Sequence, residues 1–267
     1  MNPSRTHVVV IPSYNTGRLL RETVGQALAA WAPVWIVLDG STDGSGATLD
    51  DLAASDPHLT IIDRGHNGGK GAAVLDALDR ADATGFTHVL VMDSDGQHPP
   101  AYIGKLMAMS AARTNAMVLG RPLFGADAPI ERVYWRRLSN FWVDVETRWA
   151  GVGDSLFGFR VYPVRPLLEV MRQTRWMRRF DFDPEAAVRL CWAGIHPINV
   201  DVPVRYLSAQ EGGVSHFRYG RDNLLLGWMH VRLIYGLLCR VMARLRTLST
   251  IAAHRIWAGA GPRPPRK

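Results

Sequence analysis

Four short apolar runs, His7 to Pro12, Val34 to Leu38, Leu59 to Asp63 and His88 to Met92, each stop on a polar, glycine-laced loop, and helical signals separate them. That alternation is the pattern of βαβ units, and it restricts the first 120 residues or so to an α/β arrangement on a mostly parallel sheet. Runs such as Val89-Leu90-Val91-Met92 are too short for a helix and lack polar alternation, so they read as strands covered on both faces. Helices are expected from Asn15 or Thr16, as cap, to Ala30, from the Ser41 to Ser45 turn to about Ala54, and from Gly68 to Asp82. Ala116 to Leu119 adds a strand, and residues 125 to 160 read as a helix feeding another.

In a parallel sheet the four strand ends share one rim, and ligands of open α/β sheets collect there. The loops on that rim are Pro12-Ser13-Tyr14-Asn15, Asp39-Gly40-Ser41-Thr42-Asp43, Asn67-Gly68-Gly69-Lys70-Gly71 and Asp93-Ser94-Asp95-Gly96-Gln97. Glycines let backbone approach a ligand, and Lys70 at a helix start can meet a phosphate together with the free N–H groups there. Neither a Walker loop nor a Gly-x-Gly-x-x-Gly turn after the first strand is present. Asp93 and Asp95, at i and i+2 of an extended segment, point the same way about 7 Å apart. One Mg²⁺ or Mn²⁺ fits such a pair, because these ions take one or two carboxylates and leave their other positions to water and phosphates. The alternative is a solvated Asp-Ser-Asp-Gly turn.

Charge is unevenly placed: residues 1–125 hold 9 Lys/Arg against 12 Asp/Glu, whereas 126–267 hold 22 against 12. The basic half suits anionic lipid, a phosphorylated substrate or nucleic acid, but no nucleic-acid motif is present and no such partner is expected. Cys191 and Cys239 have no paired Cys or His at metal spacing, so neither a disulfide framework nor a zinc site is expected. The start of the chain enters a strand without a charged-then-apolar leader, and no signal peptide is expected. In Phe182-Asp183-Pro184-Glu185, Pro184 suits the first turn of a helix capped by Asp183; the functional alternative makes Asp183 or Glu185 a general base. Residues 223–258 show apolar residues at helical spacing with Arg232, Arg240, Arg244 and Arg246, and the longest stretch free of Lys, Arg, Asp and Glu is nine residues. That pattern is expected to lie in a membrane interface and not to span it, the alternative being a helix docked on the protein's own core or on a partner. Residues 259–267 are Pro/Arg-rich and expected to be disordered.

Taken together, the four loops resemble those of inverting nucleotide-sugar glycosyltransferases of family 2, with the GT-A fold, in the branch of dolichol- and polyprenyl-phosphate hexosyltransferases. The resemblance covers roughly residues 7 to 220, which implies a catalytic domain over 1–222. It implies that Pro12, Tyr14, Asn15, Asp39, Ser41, Lys70, Ser94 and Gln97 surround the nucleotide sugar, and that Asp93 and Asp95 hold the metal on its diphosphate. Asp183 or Glu185 stands where the family places its base, although Phe182 occupies a position where an acid is common. Arg218 and then Arg221, after Glu211-Gly212-Gly213, resemble the basic segment that closes over the diphosphate. The activity implied is transfer of a hexose to a lipid-linked acceptor at the cytoplasmic membrane face. A soluble polysaccharide or glycolipid transferase and a nucleotidyltransferase are the alternatives.

Overall fold

The computed structural model describes residues 2–124, 130–204 and 219–259. Seven strands form one sheet: β1 (His7–Ser13), β2 (Val34–Leu38), β3 (Leu59–Asp63), β4 (His88–Val91), β5 (Ala116–Leu123), β6 (Arg160–Pro163) and β7 (His196–Pro203). Their order is β3-β2-β1-β4-β6-β5-β7. β1 pairs parallel with β2 and β4, β2 with β3, and β5 with β7, while β6 runs antiparallel to β4 and β5. The mostly parallel α/β sheet expected from the alternation of apolar runs is therefore present.

The lack of polar alternation in the strands has a direct cause, since both faces of the sheet are covered. Val8, Val10, Val89 and Val91 pack on one side with α3 (Lys70–Ala83), α6 (Val164–Arg172) and α7 (Phe182–Trp192). Val9, Ile11, Leu90 and Met92 pack on the other with α1 (Leu19–Ala30) and α4 (Ile103–Ala112). Ser13 is level with Leu38, and Leu38 with Asp63, so the loops after β1, β2 and β3 leave the sheet along one rim. The loop after β4 joins them there, because β4 is parallel to β1.

Several boundaries differ from expectation. α1 begins at Leu19 with Arg18 at the cap position, because Asn15 adopts φ 47° and the Thr16 hydroxyl bonds Ser13 and Ser94. A 3-10 turn, Gly46–Leu49, precedes the short α2 (Asp50–Ser55). Asp181, not Asp183, occupies the cap position of α7, so the capping reading of Asp183 does not hold. α5 (Ile130–Thr147) feeds β6 as anticipated.

The largest departure is α8, a single helix Tyr219–Gly259 of 41 residues. The boundary expected between residues 222 and 223 falls inside it, and its Met229 and Leu233 belong to the buried core. Gly220–Thr247 is long and apolar enough to cross a membrane by length and composition, with a mean hydropathy of 1.4. This corrects the expectation that no segment qualifies: counting charge-free runs treats every arginine as a break, whereas averaged hydropathy tolerates one or two.

Candidate active site

The site is built around Lys70. Gly69 adopts φ 96°, and a Cβ there would meet Arg178 O at 2.5 Å; at Gly71 a Cβ would meet Met177 O at 2.1 Å. The Gly-Gly-Lys-Gly sequence therefore lets the start of α3 press against the segment entering α7. That contact brings Lys70 to Asp183 in the first turn of α7. Lys70 Nζ lies 2.7 Å from Asp183 Oδ2 and 2.6 Å from Asp93 Oδ1. Burial disfavours the ammonium, but Asp183 and Asp93 outweigh it and hold the Lys70 pKa above its usual value.

Asp93 follows the end of β4, and its backbone N–H donates to His98 Nδ1 at 3.0 Å. Burial works against its charge, yet the Lys70 ammonium keeps its pKa below the ordinary carboxylate value. Asp95 goes the other way: burial and then the neighbouring Asp93 charge push it up to about 6. Ser94 is tied down between them, its hydroxyl 2.7 Å from Thr16 Oγ1 and its carbonyl accepting from Thr23. Gln97 N–H donates to Asp95 Oδ1 at 3.1 Å and closes the turn. Gly158, ahead of β6, admits this cluster, since a Cβ there would lie 2.3 Å from Lys70 Nζ.

These groups open into one cavity of about 1210 Å³. Of the residues singled out from sequence, Pro12, Tyr14, Asp39, Lys70, Asp93, Ser94, Asp95, Gln97, Asp183 and Arg221 line it. Asp39 does so while ordering the Lys70 loop: it pairs with Arg64 and accepts from Gly68 and Gly69 N–H at 2.9 and 2.7 Å. Asn15 and Ser41 do not line the cavity; they stitch the first two loops together, Ser41 Oγ accepting from Asn15 N–H and Asn15 Oδ1 from Thr42 N–H. Glu185 is also elsewhere. It is fully buried, pairs with Arg189 at 2.7 Å and Arg232 at 2.9 Å, and so serves the docking of α8 rather than the crevice. Arg218 lies outside the described residues.

Sequence reasoning missed two supports. His98 is buried between Phe157 and Phe159, and burial brings its pKa down to about 4, so the neutral ring accepts from Asp93 N–H. Fully buried Arg160 donates to the carbonyls of Asp154, Phe157 and Asp183, fixing the start of α7 against β6. No local pattern marks either residue, because the rings that bury His98 and the Asp183 carbonyl that Arg160 reaches come from segments distant in sequence. α5 and α8 add apolar side chains to the lining, Trp135, Leu138 and Trp142 from the first and Leu226, Val231 and Ile234 from the second.

Among the described residues no three His, Cys, Asp or Glu side chains converge as a ready metal cage. Asp93 and Asp95 are the pair suited to a divalent ion whose remaining ligands come from phosphate and water. One feature of the site fits a cation: burial and the Asp93 charge push the Asp95 pKa up to about 6, a repulsion that a divalent ion between the two carboxylates would relieve.

The model of the family described as Glycosyl transferase family 2 matches residues 8–163. Polyprenol monophosphomannose synthase of Mycolicibacterium smegmatis is 29% identical over 229 residues, 80% of this chain and 82% of that protein. Undecaprenyl-phosphate mannosyltransferase of Micrococcus luteus is 32% identical over 115 residues, 42% of this chain and 46% of that one. Among solved structures, glucosyl-3-phosphoglycerate synthase from Mycobacterium tuberculosis, in complex with Mn²⁺ and UDP-glucose, superposes with a TM-score of 0.60 at 18% identity. That match covers 89% of this chain and 79% of the other, and it shows a shared fold.

Proposed function

The chain belongs to glycosyl transferase family 2, and from that premise we propose that it moves a hexose from a nucleotide sugar to a polyprenyl-phosphate acceptor, with inversion, on the cytoplasmic face of a membrane. Relatives named for polyprenol and undecaprenyl phosphate support the acceptor class. The observation that carries the reading is the Lys70 bridge between Asp93 and Asp183, which joins a phosphate-binding loop, an acidic pair and a third carboxylate in one cavity.

The roles follow from placement. Pro12, Tyr14 and the Asp39 loop receive the nucleoside. Asp93 and Asp95 would hold Mg²⁺ or Mn²⁺, which when bound neutralises the leaving diphosphate. Lys70 keeps its proton throughout and offers a fixed positive charge beside the same phosphates. Arg221, on the rim, is the described cation nearest in sequence to the expected closing segment. Asp183 engages Lys70 through one oxygen and keeps the other for the acceptor side. A phosphomonoester is already largely ionised near neutral pH, so Asp183 need only orient it and accept any remaining proton.

The membrane side of the proposal rests on α8. Leu224, Trp228, Val231, Tyr235, Leu238, Met242 and Leu245 form an exposed apolar stripe, and every charged residue from 223 onward is basic. Apolar area plus cations is what an anionic lipid surface binds. Residues 1–222 then supply the donor site, and the exposed face of α8 within 223–258 the membrane contact.

The test is a melting-temperature panel of UDP-, GDP- and dTDP-sugars with Mn²⁺ or Mg²⁺, followed by transfer to a polyprenyl phosphate with the nucleotide that stabilises. Asp95→Ala should fold and abolish transfer. Full turnover in chelator would sink the metal assignment, and no transfer to any prenyl phosphate would sink the acceptor.

A further inference from the structure

The cavity has a second polar centre, on the wall shared by α5 and α8. His230 of α8 lines the cavity, and its Nδ1 lies 2.8 Å from Oε1 of Glu146 on α5. Glu146 is completely buried, and its Oε2 has no hydrogen-bond partner among the described residues. On its other side, His230 Nε2 is 3.3 Å from Ser139 Oγ, which is 3.1 Å from Ser155 Oγ. Ser155 in turn donates to Asn140 Oδ1 at 2.7 Å, and the same oxygen accepts from Ser155 N–H at 2.8 Å.

The donor inventory fixes the direction of this chain. Asn140 Oδ1 can only accept, so the single hydroxyl proton of Ser155 is committed there. Ser139 must then donate to Ser155 and can offer His230 only a lone pair. The proton between Ser139 and His230 therefore sits on Nε2. At Nδ1 two states remain: an N–H facing ionised Glu146, or a bare nitrogen accepting from protonated Glu146. In both, Nε2–H faces Ser139, so His230 is a donor at the cavity wall and cannot serve there as a base.

We propose that His230, backed by Glu146, binds a phosphate oxygen of the acceptor through Nε2–H. The inference rests on the prenyl-phosphate reading above and deepens it by naming where that phosphate is held. A 3.3 Å N–H···O contact is long, so little is lost when a phosphate oxygen replaces Ser139 as its acceptor. An anion at Nε2 also favours the shared proton on Nδ1, which leaves Glu146 as the counter-ion without exchange of protons with solvent. The apolar wall of Leu138, Trp142 and Val231 lines the same cavity, as a hydrocarbon chain attached to that phosphate requires.

The test is a ¹⁵N NMR titration of the histidine rings of the full chain with a short-chain prenyl monophosphate, the matching prenyl alcohol and inorganic phosphate. The monophosphate is expected to shift one set of ring signals that is missing from His230→Gln, inorganic phosphate to shift the same set at higher concentration, and the alcohol to leave it in place. Unshifted His230 signals at saturation would overturn the proposal without any variant having to fold. In transfer assays His230→Gln should raise the acceptor KM by roughly 10- to 100-fold, the range of a hydrogen bond to a charged group, and leave the donor KM unchanged. Ser139→Ala discriminates further. It removes a competing acceptor, so acceptor binding should stay equal or tighten; a loss matching that of His230→Gln would show a network that merely braces α5 against α8, and would overturn the proposal. Robust transfer with a silent His230 overturns this inference alone, whereas a shifted His230 in a chain that transfers no sugar leaves the site standing and overturns the reading beneath it.

Discussion

At the scale of single residues, the active site depends on side chains that are missing as much as on those present. An added Cβ at Gly158 would sit 2.3 Å from Lys70 Nζ and 3.1 Å from Asp93 Oδ2, the movable ends of side chains. Gly158→Ala should therefore fold, with a melting temperature within a few degrees of the parent. It should lose transfer by about 100-fold, the cost of displacing a positioning group by about 1 Å. Wild-type rates in that variant would mean that the Lys70–Asp93 contact is dispensable. Another residue-level effect lies away from the site. His7 stacks on His88 with centroids 4.5 Å apart, and burial, then the His88 charge, bring its pKa from 6.5 to about 4. The unfolded chain binds this proton more readily, so the stability contributed by His7 is present above pH 6.5 and is lost as pH falls toward 4. Between pH 7 and 5 the loss amounts to at most about 2 kcal/mol. Urea midpoints of His7→Gln should fall less than those of the parent over that interval; equal falls would remove His7 as the cause.

At the scale of elements, α7 couples the catalytic rim to α8. Its Asp183 faces Lys70, and two residues on, around the helix, Glu185 grips Arg232 of α8 at 2.9 Å, whose guanidinium also lies over Trp176 at 4.0 Å from the ring centroid. Truncating the arginine strips a buried carboxylate of a partner, and removing one member of such a pair costs about 3 kcal/mol or more. Arg232→Ala should lower the urea midpoint accordingly, and Arg232→Lys should restore only part of it, because an ammonium replaces neither the fork nor the stack. A midpoint equal to the parent would mean that Arg189 alone satisfies Glu185. These contacts also explain what was legible in the sequence. β2 and β3 were placed to the residue, because short apolar runs bounded by polar loops can only be covered strands here. The four rim loops were legible for the same reason, being the strand ends of a parallel sheet. Asp183 was legible only as one of two alternatives, cap or general base, since Asp before Pro at a helix start fits both until Lys70, 113 residues away, is brought to it. The burial of Glu185 was not legible, since helical periodicity places it on a face without saying what covers it.

At the scale of the whole molecule, the proposed donor site and the proposed membrane contact fall on different parts of the surface. The exposed aromatics Trp135, Phe141 and Trp142 of α5 and the stripe on α8 are on the two helices that add apolar lining to the cavity, so the lipid acceptor proposed above would meet that lining on leaving a bilayer. Met229, His230, Arg232 and Leu233 tie the first half of α8 to the globule, whereas Leu238, Val241, Met242 and Leu245 beyond Gly236 are exposed. Removing residues 224–267 would therefore open the core, and loss of vesicle binding in that variant would say nothing about the membrane. Removing 237–267 keeps every one of those ties while deleting Arg240, Arg244, Arg246 and Arg255. The shortened chain should keep its melting temperature within a few degrees and still be stabilised by its nucleotide. It should sediment far less with anionic vesicles, and the parent's binding should weaken as salt rises, since cations on lipid headgroups are screened over about 10 Å at 0.1 M. Undiminished, salt-insensitive binding by the shortened chain would move the membrane contact from α8 to the aromatic face of α5.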